Sequence, residues 1–124
     1  MRFVIGQNDS LPRIIATLSA DYDDNYPESD QIIYNTGDDI KMYIRRSGQW
    51  LARDASVDEV VDGGRELRVV VSLLPDDVKK TGRYPLYFRN ETIGLSFPSY
   101  GFEYVVVQDR GHGNAICKLL KICV

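Results

Sequence analysis

A cysteine framework is missing. The only two cysteines, Cys117 and Cys123, both lie among the last eight of the 124 residues, so no disulfide network can hold the whole chain. Their spacing fits neither the redox nor the zinc patterns of Cys-x-x-Cys type, and they read as free, partly buried thiols. Histidine is nearly absent as well. His112 is the single one, set between Gly111 and Gly113. A Ser-His-Asp or Cys-His pair needs a rigidly oriented base, and a cysteine on an apolar tail has no evident pocket. No Gly-rich phosphate loop, paired metal-ligand motif or nucleophile elbow occurs. The chain reads as a non-enzyme with no cofactor and no metal.

An excess of basic charge is also lacking. Lys and Arg number 15 against 18 Asp and Glu, for a net charge of −3, and both signs are spread along the chain. A surface that binds phosphates normally shows a basic excess, so nucleic acid is not expected as a partner. No stretch approaches the roughly 18 apolar residues of a membrane span. The opening MRFVIGQNDS turns polar before any long apolar run, unlike a secretory signal. A soluble protein made in a cytoplasm is expected. At 44% hydrophobic and 27% charged residues, the composition suits one domain with a modest core.

What the sequence has in quantity is alternation. Ile40, Met42 and Ile44 share one face of a strand, with Lys41, Tyr43 and Arg45 on the other. Leu67, Val69, Val71 and Leu73 repeat the pattern. Tyr84, Leu86 and Phe88 are read as inward, with Arg83, Tyr87 and Arg89 outward; Phe102, Tyr104 and Val106 complete the inward set. Further strands are predicted at 2–5, 13–19, 52–61 and 92–97, where β-branched and aromatic residues gather between breakers. A β-hairpin with a Phe-Pro turn is predicted over 95–109. Seven to eight short antiparallel strands, with a turn about every 8–12 residues, predict an all-β sandwich or small barrel. In the run PDDVKKTG at 75–82, Asp76 or Asp77 can cap one helical turn that Gly82 would stop. Tyr84 then falls where a corner tyrosine would pack.

Two segments stand apart. The loop DYDDNYPESD at 21–30 opens like an EF-hand, but Tyr26 occupies the glycine position and Ile32 the closing glutamate position. It reads as a solvated loop at the tip of the domain, with a calcium site of another type left open. Tyr22, Tyr26, Tyr34 and Tyr100 lie in or near predicted loops, where aromatics suit recognition. The tail, 110–124, breaks the strand pattern with Gly111, Gly113 and Asn114 and then turns apolar. Ile116, Leu119, Leu120 and Ile122 are its candidate assembly contacts, because spare apolar surface is expected to meet another chain. The domain is therefore set at 1–109 and a C-terminal docking extension at 110–124.

A succession of short motifs carries a family resemblance. GQNDSLP at 6–12 leads to a strand ending in Thr17 and Leu18 and then to the Asp-rich loop. TGDDIKMYIRR at 36–46 follows, then the turn at Asp62, Gly63 and Gly64, then LPDDVKKTGRYPLYF at 74–88, and last LSFPSYGFEYVVVQD at 95–109. This order resembles small immunoglobulin-like β-sandwich proteins of tailed-phage virions, and is similar to the N-terminal domain of phage upper baseplate proteins. The resemblance implies a non-enzymatic structural component of the baseplate, tail, neck or capsid surface. It implies a location in the virion and other virion proteins, copies of itself included, as partners. The alternative is a carbohydrate-binding accessory module that uses the loop tyrosines.

Overall fold

The computed structural model describes residues 2–19, 34–98 and 101–109. Eight strands fill most of it: β1 (Arg2–Gly6), β2 (Arg13–Ser19), β3 (Ile40–Arg46), β4 (Gln49–Val61), β5 (Glu66–Ser72), β6 (Gly82–Asn90), β7 (Leu95–Phe97) and β8 (Glu103–Gln108). Among the described residues the only helices are two short 3-10 turns, Asp62–Gly64 and Pro75–Val78. The all-β expectation stands. No helix among these residues is long and apolar enough to cross a membrane.

The strands hydrogen-bond into one continuous path, β1-β8-β6-β3-β4-β5-β2. Neighbours run antiparallel except β1 and β8, which pair in parallel from Arg2 opposite Tyr104 to Gly6 opposite Gln108. The expectation of purely antiparallel strands is corrected there. The path bends at β4. Its first half pairs with β3 and its second with β5, with Ala55 opposite both Ile40 and Val71 at the changeover. A register shift between Val57 and Glu59 lies just beyond, and such irregularities bend a strand and sharpen its twist. The two halves of the nearly closed sheet thus share one core.

That core follows the period-two pattern. Ile40, Met42, Ile44, Leu67, Val69, Val71, Leu86 and Phe88 are all buried, as their phase predicts. The phase of β8 differs from expectation. Val105 and Val107 point inward, whereas Phe102 is 51% exposed and Tyr104 and Val106 lie on the outer side. The hairpin expected over 95–109 is also absent. β7 pairs with the far end of β6, Asn90 opposite Leu95, and β8 with its near end, Gly82 opposite Val107. They occupy one lane in succession, interrupted after the cis peptide between Phe97 and Pro98.

Local chemistry sets the turns. β3 and β4 are joined through Ser47 and Gly48 alone, both at positive φ (52° and 77°), the twist a two-residue hairpin favours. Asn90, fully buried, ends β6. Its Oδ1 accepts from the N–H groups of Thr92 and Ile93, and its Nδ2 donates to Asp38 Oδ2 at 2.9 Å. The 3-10 turn is capped as its acidic start suggests: Asp77 Oδ2 accepts from the Leu74 N–H at 2.8 Å. Gly82 has another role than the helix stop expected of it. The turn ends at Val78, and Gly82 opens β6, where an added Cβ would lie 3.1 Å from Tyr84 Oη. The missing side chain makes room for Tyr84, whose hydroxyl donates to the Lys80 carbonyl at 2.7 Å.

Candidate functional site

Alternation that buries one side of β3 and β6 lifts the other side outward. Tyr43 and Tyr87 are register partners there, and their rings stack at 5.0 Å and 17°. Trp50, at the start of β4, meets Tyr87 edge to face at 5.0 Å and lies 5.1 Å from Phe102, which precedes β8. Arginines complete the cluster. The Arg45 guanidinium sits 5.5 Å from the Trp50 ring, its register partner, and that of Arg83 lies 3.8 Å over Tyr104. Neither has a carboxylate within ion-pair distance among the described residues. Val4, half exposed, extends the face through its outward partner Val106. Few groups of this size stay on the surface of a β-protein without a contact to make.

The opposite end of the same face is polar. Tyr43 Oη donates to Glu91 Oε2 at 2.6 Å, and Glu91 Oε1 accepts from Arg89 Nε at 2.7 Å. The hydrogen bond to Glu91 raises the Tyr43 phenol above its ordinary value, and the same bond holds Glu91 below its own. At neutral pH the phenol is therefore a fixed donor that keeps its ring upright. Lys41 Nζ bridges Asp54 at 2.7 Å and Asp39 at 3.4 Å. The face thus runs from arginines through rings to a mixed cluster with excess carboxylate.

A second polar group is internal. The Asp77 carboxylate is inaccessible to solvent. It accepts from Arg53 Nε and Nη2, both at 2.8 Å, and from Arg46 Nη1 at 2.7 Å. Burial pushes its pKa up, but the hydrogen bonds from Arg53 and Leu74 and the charges of both arginines outweigh this and leave it lowered. All its lone pairs are spent on the β3–β4 hairpin and the 3-10 turn, so it fastens structure and has no capacity left for chemistry. An open groove beside it is lined by Ala52, Arg53, Asp54, Ser56, Ser72 and Leu74. The one carboxylate in that lining, Asp54, accepts from Lys41 Nζ at 2.7 Å. Among the described residues no group of three or more His, Cys, Asp and Glu could hold a metal.

Of the recognition tyrosines, Tyr34 is 2% exposed, its ring edge-on to Phe97 at 5.9 Å, and so belongs to the core. Tyr22, Tyr26 and Tyr100 lie outside the described residues, as do His112, the acidic loop 21–30 and the tail with Ile116, Leu119, Leu120 and Ile122. The aromatic face was partly visible beforehand, since Tyr43 and Tyr87 fall on the outer phase of their strands. Its assembly was not, because nothing in the sequence states that these strands are neighbours. Compared with known proteins, the chain matches no family model, no curated protein and no solved structure.

Proposed function

We propose that this chain is a non-enzymatic assembly module, an immunoglobulin-like β-sandwich of a tailed-phage virion, and that its outer aromatic face is a protein contact. The observation that carries the docking role is the composition of that face. Trp, Tyr and Arg, gathered at one centre, are the residues that dominate protein interfaces. The virion setting rests on the motif resemblance along the sequence. The sandwich reading is supported by topology: β2, β5 and the second half of β4 lie in the order of one immunoglobulin sheet, and β3, β6 and β8 in that of the other. The hydrogen bond from Tyr84 back to Lys80 is the arrangement of a corner tyrosine.

Sugar binding fits this face less well. Carbohydrate stacking needs open ring faces. Tyr43 and Tyr87 each give one face to the other, and Arg83 covers a face of Tyr104. The test is particle incorporation of Trp50→Ala and Phe102→Ser variants. Each should lose about 1 kcal/mol of ring packing and stay folded, yet be depleted from purified virions. Incorporation at the parental level would refute the docking role, and glycan-array binding abolished by the same changes would establish the sugar reading instead.

A further inference from the structure

The occupant of the aromatic face can be argued from its charge pattern, and the argument rests on the docking role just proposed. Along β6, Arg83 lies four residues before Tyr87 and Glu91 four residues after it, just past the strand end. Along β3, Arg45 lies two residues after Tyr43, and Lys41, with its partners Asp54 and Asp39, two before. Cations stand at one end and rings in the middle; at the other end Asp39, Asp54 and Glu91 outnumber their partners Lys41 and Arg89 by one charge. A partner unrelated to this chain would need only one sign to match at each end; a surface whose two ends are opposite in sign about a ring centre is complementary to itself.

We propose that the face receives a second copy of this chain, related by a two-fold axis that crosses the strands at Tyr43 and Tyr87. In a face-to-face pair the axis must lie in the interface. An axis along the strands would bring the arginine ends of the two copies together, which like-charge repulsion opposes. An axis across the strands reverses their direction and keeps each lane over itself. Arg83 then lies over the Glu91–Arg89 pair of the other copy, nearest Glu91, and Arg45 over Lys41 with its partners Asp54 and Asp39, a cluster of one net negative charge. The rings of the two copies meet at the centre, where contact energy concentrates, and the charges form the rim.

The experiment is molar mass in solution, measured by light scattering and sedimentation on the full chain over a concentration series. The expected result is twice the chain mass for the parent and the monomer mass for Arg83→Glu and for Glu91→Arg. An equimolar mixture of the two variants should regain the dimer mass, because each supplies the charge the other lacks. A chain carrying both changes should also dimerise. A parent that stays monomeric up to about 1 mM, the range where binding energy falls to about 4 kcal/mol, would overturn the proposal. So would a dimer indifferent to both charge reversals, or a mixture that stays monomeric. If Trp50→Ala still blocks incorporation in any of those cases, the face docks a different partner and only its occupant has been misassigned.

Discussion

At the scale of single residues, Asp77 is the most consequential polar group in the described structure. Its carboxylate ties the β3–β4 hairpin to the 3-10 turn through Arg46, Arg53 and the Leu74 N–H. Asp77→Ala strips both guanidiniums of their partner and should cost about 3 kcal/mol, the low end for a broken buried pair because each arginine keeps some water. The pH dependence has a definite sign. The folded pKa is lowered relative to the unfolded value of about 3.9. The stabilisation is therefore complete above that unfolded value and drains away as pH falls through the folded one. Denaturant unfolding from pH 6 to about pH 2 should show an acid loss of stability that is smaller in Asp77→Ala; equal pH dependence in the two proteins would exclude this role. Tyr84→Phe removes one hydrogen bond to Lys80 and leaves the ring in place. It should cost about 1 kcal/mol in the same assay.

Elements show where sequence reading worked and where physics was hidden from it. β3, β5 and β6 have one clearly apolar phase each, so their inward residues were legible. β8 was not. Its VVV run, Val105 to Val107, is apolar in both phases, and the choice falls to the partner register that sets Tyr84 opposite Val105 and Arg83 opposite Val106. Val105→Asp should therefore unfold the domain, whereas Val106→Asp should shift the midpoint of thermal unfolding only slightly. The reverse order would contradict the observed phase. β4 begins three residues before the expected 52–61, because the turn takes only Ser47 and Gly48 and Gln49, Trp50 and Leu51 already pair with β3. Its strand character comes from having β3 on one half and β5 on the other. Tyr34 illustrates a different limit. A loop aromatic that plugs the core and one that meets a ligand look alike in sequence, and only packing against Phe97 separates them.

For the molecule as a whole, a nearly closed sheet buries one set of alternate residues and leaves the other set as the working surface. The candidate site was therefore half legible: the sequence marks which residues face out, while strand order decides which of them meet. The outer side of the fold gathers the rings of Tyr43, Trp50, Tyr87 and Phe102 into one cluster. Function as an assembly module requires that this cluster be covered in the particle. A cryo-electron-microscopy map of the virion at side-chain resolution measures that directly. It should show these four rings buried against another protein chain, with Arg83 and Arg45 at the rim of the contact. A map in which the domain is held by other surfaces and the rings face solvent, or in which the particle lacks this chain altogether, would contradict it.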